Sequence, residues 1–208
     1  LTFGNVTVND GITLALDANS VTENTYTFTS LTINNGGKVV AVGNPSEVNA
    51  ASGGTSGNRH GVGVILNATT LTIASGGSLN ADGAGFVSGY YHANYGSDTT
   101  PGTGRGPGGG PTSGQGSTPG LGGGGYGGAG GAGSVAAGGT AYGSATAPTA
   151  LGSAGGASTI SSRFPGGGAI KLNVSGVLTV NGTLSANGTS PSVNQVGGGA
   201  GKKGARTH

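Results

Sequence analysis

Apolar and polar residues alternate in short runs along much of the chain. In GGAIKLNVSG from Gly167, Ile170, Leu172 and Val174 share one face while Lys171, Asn173 and Ser175 share the other, the two-residue period of a β-strand. A second pattern is a repeat: an apolar-Thr-apolar triplet, a Gly-containing turn and another short strand. It reads LTINNGGKVVAVG from Leu31, LTIASGGSLNADG from Leu71 and LTVNGTLSANG from Leu178. These copies agree at the triplet, at an apolar residue after the turn (Val39, Leu79, Leu184) and at a closing Gly (Gly43, Gly83, Gly188). Asn-Gly and Gly-Gly supply the positive φ of a tight turn, so each copy predicts two strands around a corner. A further strand precedes each copy, in TYTFTS from Thr25, GVGVILNATT from Gly61 and the Gly167 segment.

A unit of strand, short break, strand, Gly turn, strand cannot bury its apolar face alone. Stacking copies gives a continuous core, which predicts an all-β fold of the β-solenoid (parallel β-helix) type. The rival is a β-sandwich or jelly roll, in which the same short strands pair antiparallel. The expected organisation is a single domain: solenoid repeats over 1–83, a glycine-rich insertion over 84–165, a closing repeat over 166–190 and a glycine-rich basic tail over 191–208.

Composition sharpens the picture of the insertion. From Gly102 to Gly168, 27 of 67 residues are Gly, which excludes helix and leaves an ordinary strand few side chains to pack. GGYGGAGGAG, from Gly124 to Gly133, keeps a strict three-residue period. That is the period of the extended polyproline II helix, whose backbone groups are satisfied only by neighbouring chains. An ordered insertion is therefore expected to pack on the solenoid, on itself or on another subunit, and the alternative is a flexible loop. The chain has 51 Gly, 33% apolar and 7% charged residues, and no Cys, Met or Trp. Disulfides and Cys-based metal sites are thereby excluded. No stretch approaches the roughly 18 apolar residues of a membrane-spanning helix, and no charged and apolar leader opens the sequence, so that if a secretion signal existed it is expected to have been removed.

The charge is unevenly placed. All six carboxylates lie in the first 98 residues beside only Lys38 and Arg59, leaving that part at −4, whereas the remainder carries six cations and no acid. Opposite signs in two halves suit head-to-tail association.

Catalytic and ligand-binding constellations are sparse. Asp82 and Asp98, with Tyr90, Tyr91, His92 and Tyr95 alongside Arg59 and His60, form the only candidate polar cluster, and turn positions account for most acids. The histidines His60, His92 and His208 lack metal-ligand spacing. Gly104, Gly106 and Gly109, and again Gly128, Gly130 and Gly133, fit a dinucleotide fingerprint, yet neither set follows a strand or opens a helix. The GKKGARTH tail is basic but lacks interleaved aromatics, so no nucleic-acid partner is expected. Five Asn-x-Ser/Thr sequons (Asn5, Asn67, Asn173, Asn181, Asn187) do not indicate glycosylation in so Asn-, Ser- and Thr-rich a chain. Tyr90, Tyr91, Tyr95, Tyr126 and Tyr142 offer large apolar area with a polar tip among small residues, and are the candidate interface or glycan contacts.

LTIASGGSLNADG and GGAIKLNVSGVLTVNGTLSANG resemble the coils of secreted bacterial β-helix surface proteins, the group of autotransporter passengers and filamentous adhesins. The GGX repeats resemble the polyglycine layers of some phage tail-fibre adhesins. The resemblance implies extracellular attachment or assembly and carries over no catalytic residue. The expected function is thus a non-enzymatic, cofactor-free and metal-free structural subunit of an extracellular fibre on the cell surface or in a biofilm matrix, whose partner is itself. The alternative is a glycan- or receptor-binding adhesin such as a tail-fibre tip, and a more distant one is a β-helix polysaccharide-degrading enzyme.

Overall fold

The computed structural model describes residues 1–20, 22–45, 61–87, 104–111, 121–134, 136–144, 149–156 and 164–189. Among them the fold is all-β, with eight strands and no helix: β1 (Thr2–Val8), β2 (Thr13–Asp17), β3 (Thr25–Ile33), β4 (Lys38–Val42), β5 (Val64–Ile73), β6 (Ser78–Asn80), β7 (Ile170–Val180) and β8 (Thr183–Ser185). They form two four-stranded sheets of order β1-β3-β5-β7 and β2-β4-β6-β8. Every pairing between these strands is parallel, an isolated antiparallel bridge joining Asn44 and Val62 outside them, whereas the hairpins of a sandwich or jelly roll would pair antiparallel. The chain therefore visits the two sheets in turn, one strand in each per pass, an arrangement consistent with a β-solenoid-like fold.

The repeat occurs four times rather than three. VTVNDGITLALD at the start is a further copy, since Val6, Thr7 and Val8 pair with Leu31, Thr32 and Ile33, and Leu14 pairs with Val39. Thr7, Thr32, Thr72 and Thr179 consequently stand in one row across the first sheet. Polar rows beside it are joined through side chains. Asn34 Nδ2 donates to Asn9 Oδ1 at 2.9 Å, Ser30 Oγ to Asn5 Oδ1 at 2.9 Å and Asn173 Nδ2 to Asn67 Oδ1 at 2.8 Å.

The break expected inside each unit is a change of phase within one continuous strand. In β5, Val64, Leu66 and Ala68 point inward, then Leu71 and Ile73 do, with Thr69 and Thr70 between them; β3 does the same around Thr29 and Ser30. Because both strands share the dislocation, their hydrogen-bonded register runs through it unbroken. β7 carries one residue more there, and its pairing with β5 shifts between Ala68 and Thr70, a β-bulge.

Inward residues of both sheets merge into one hydrophobic cluster containing Phe28, Leu31, Ile33, Val39, Leu66, Leu71, Ile73 and Leu79. The turns between the sheets stack as well. Gly36 and Gly76 adopt φ of 74° and 79°, and a Cβ on them would lie 1.8 Å from Asp10 Oδ1 and 2.0 Å from Asn35 Oδ1 respectively. Each Asx side chain thus lies over the glycine of the next coil, and only glycine leaves it room. Leu71 is fully buried at the centre of this core. Leu71→Ala is expected to lower unfolding free energy by about 2–5 kcal/mol, the range for emptied core leucines, as read from the urea midpoint at unchanged slope.

Candidate functional site

The glycine-rich insertion departs after β6 and returns before β7, and its described parts pack on one another in extended segments. Two of them, 127–133 and 136–142, run antiparallel. The amides of Gly127, Gly130 and Gly133 donate to the carbonyls of Tyr142, Gly139 and Ala136 at 2.7, 2.9 and 2.8 Å. Bonds thus recur every third residue on both segments, all donated from one side, where a β-ladder would recur every second. Gly122 and Gly125 donate to Pro111 and Gly108 with the same step. This is the hydrogen bonding of a three-residue-per-turn extended helix, as the GGX period predicts.

The glycine run 122–125 occupies the middle of the layer. It is bonded to 108–111, to Gly131, to Gly139 and to Gly156, so neighbours surround it and no side chain has a direction to take. A Cβ on Gly122 would stand 1.9 Å from Ala137 O, and one on Gly139 1.9 Å from Gly108 O. The layer is joined to the sheets by Phe86, Leu151 and Ala169, which form a second apolar cluster. Leu151 is fully buried. Its methyl carbons lie 2.6 Å from where Cβ atoms of Gly43 and Gly61 would be.

Of the five tyrosines singled out above, Tyr126 and Tyr142 lie within this layer, whereas Tyr90, Tyr91 and Tyr95 lie outside the described residues. Tyr126 and Tyr142 are half-buried and meet edge to face, with ring centroids 5.0 Å apart and planes at 77°, a favoured aromatic geometry. A relay of hydrogen bonds passes through Tyr142. Gly108 N–H donates to Ser153 Oγ at 3.0 Å, Ser153 Oγ donates to the Tyr142 hydroxyl at 2.9 Å, and that hydroxyl donates to the Leu151 carbonyl. Burial pushes the Tyr142 phenol far above its ordinary range, only partly offset by Ser153. Burial likewise raises Tyr126, against the opposing effect of the Ala150, Thr149 and Ser144 amides. The pair therefore turns its hydroxyls into the layer, and ring area is what it leaves for an outside contact. Ser153, the most deeply buried polar residue of the described chain, escapes sequence reading because nothing separates it from the other serines among glycines.

The polar cluster around Asp82 and Asp98 is represented only by Asp82, since Asp98, Arg59, His60, His92 and His208 lie outside the described residues. Asp82 is engaged in the fold: Oδ1 accepts Asn187 N–H at 2.6 Å and Oδ2 accepts Ser185 Oγ–H at 2.8 Å, binding the last coil to the third. Among the described residues no three His, Asp or Glu side chains converge on a point that could hold a metal, and no helix is long and apolar enough to cross a membrane.

The two ends of the sheet stack are the other feature able to make contacts. β1 and β7 are the outermost strands of one sheet, β2 and β8 of the other. Leu1, Phe3 and Ile12 are exposed at the first end, Val177 and Val180 at the last. Asp10, Asp17 and Glu23 belong to the first coil, and Lys171 to the fourth. Comparison with protein-family models, curated proteins and solved structures finds no match to this chain.

Ser153→Ala is expected to cost about 1–3 kcal/mol, because it strands the Gly108 amide in a buried site, and to accelerate hydrogen exchange at Gly108. Tyr142 holds its proton more tightly folded than unfolded. Its contribution to stability is therefore complete below the ordinary phenol pKa of 10.0 and is lost as pH rises above it. Stability to unfolding is expected to fall less steeply with rising alkaline pH in Tyr142→Phe than in the parent chain, as followed by circular dichroism.

Proposed function

We propose that this chain is a β-solenoid serving as a structural subunit of a self-assembling extracellular fibre, without catalytic role. The observation that supports the reading is the pair of outer sheet edges. A parallel stack whose first coil bears exposed Leu1, Phe3 and Ile12 and whose last strand of the first sheet bears Val177 and Val180 presents backbone donors, acceptors and apolar area to another copy. Addition of one copy's β1 to another's β7 continues the same parallel pairing. Such a contact is head-to-tail, so it propagates instead of closing. Carboxylates on the first coil and a lysine on the fourth favour that polarity over head-to-head contact. The turned-in hydroxyls of Tyr126 and Tyr142 favour a cohesive role for this tyrosine pair over display to a glycan.

Negative-stain electron microscopy of the purified chain at low salt is expected to show filaments that shorten at high salt, where a charge-assisted joint is screened. Val177→Lys, which introduces a charge at an exposed edge position, is expected to abolish them while leaving the circular dichroism spectrum intact. Monodisperse particles from the parent chain at every concentration would overturn the reading.

A further inference from the structure

Three Asn-Gly pairs occur in the chain, at Asn35, Asn181 and Asn187, and the fold treats them differently. An asparagine is lost spontaneously when the following amide nitrogen attacks its carboxamide carbon. Glycine permits this best because it lacks a side chain to obstruct the approach. The attack also requires a nitrogen that is not already committed to a carbonyl. Gly36 N–H donates to Gly76 O at 3.1 Å, and Gly182 N–H donates to Ile73 O at 3.1 Å; each of these amides must first break a bond within the stacked turns. At the third pair, Asn187 is exposed, and among the described residues no hydrogen bond engages either its carboxamide or the Gly188 amide.

We propose that Asn187 is a built-in deamidation site whose conversion loosens the fourth coil. The Gly188 nitrogen forms a bond to Asn187 Cγ and gives up its proton as the carboxamide nitrogen leaves as ammonia. Water then opens the resulting succinimide to aspartate or, with the main chain rerouted through the side-chain carboxyl, to isoaspartate. The surroundings make either product disruptive. Asn187 N–H is held by Asp82 Oδ1 at 2.6 Å, and Asn187 O accepts Gly83 N–H at 2.9 Å, so a new carboxylate arises beside an existing one. Two residues on, Thr189 N–H and its hydroxyl both donate to Pro165 O, at 2.9 and 3.2 Å. Isoaspartate inserts an extra backbone atom between these two fastenings, which cannot then both keep their geometry. The fourth coil is thereby weakened where Asp82 binds it to the third.

The test is to age the full chain in mildly alkaline buffer, map peptides by mass spectrometry with isoaspartate detection, and compare hydrogen exchange before and after. Loss at Asn187 is expected to run several-fold to roughly tenfold faster than at Asn35 or Asn181, whose reaction waits on local opening. Exchange at the Asn187 and Thr189 amides is expected to rise in step with it, and Asn187→Gln is expected to retain slow exchange there after ageing. Equal loss at all three sites, faster loss at either stacked turn, or conversion of Asn187 with unchanged exchange would overturn the proposal.

Discussion

The main-chain hydrogen bond between separate extended segments is the interaction on which this protein depends. With so many glycines and so few large side chains, much of the chain has little apolar area to bury, while every buried N–H and C=O still demands a partner. Two solutions coexist in one molecule. Where apolar residues alternate, the backbone forms parallel β-ladders and encloses the cluster around Leu31, Leu71 and Leu79. Where side chains disappear, segments draw together until carbonyls lie where Cβ atoms would be, and bonds recur every third residue.

The two regimes meet at a small number of side chains. Leu151 lies beneath Gly43 and Gly61 at the edge of the coils, and its carbonyl receives the Tyr142 hydroxyl from within the layer. Phe86 continues from the third coil, its amide donating to Gly152 and its carbonyl accepting from Gly166. The same few residues therefore supply the apolar contact and the polar fastening. Glycine packing alone cannot decide which segment lies beside which, because one glycine resembles another. The edge-to-face tyrosines and buried Ser153 provide that specificity within the layer.

Much of this was legible in the chain. The triplets at Leu31, Leu71 and Leu178 fall in one row, as equivalent positions in stacked copies must, and the period of three in GGYGGAGGAG reappears as the step of the hydrogen bonds. The first copy is harder to see because VTVNDG replaces Leu with Val and has a single turn glycine, so its identity emerges only from its pairing with β3. The continuity of β3, β5 and β7 through Thr29, Thr69 and Ser175 is hidden for another reason. A shared change of phase looks like a break in any one strand, and only the alignment of strands shows that the ladder survives. Of the candidate contacts, Tyr126 and Tyr142 are brought together, which spacing alone could not reveal because their union depends on the antiparallel course of 127–133 and 136–142. The hydroxyl relay through Ser153 has no signature of type or spacing.

The lateral neighbours in the polar rows lie at unequal distances along the chain. Asn5 and Ser30 are 25 residues apart, Thr27 and Asn67 40, and Asn67 and Asn173 106. At equilibrium the longest closure costs only roughly 1 kcal/mol more than the shortest. In time the difference is larger, because pairing across such a separation is slow. The first three coils can zip together from near neighbours, whereas β7 must await the intervening glycine layer. During that interval the outer edge of β5, the longest strand of the unfinished stack, stands open, and folding becomes a race between the chain's own fourth coil and any foreign strand that reaches the edge first.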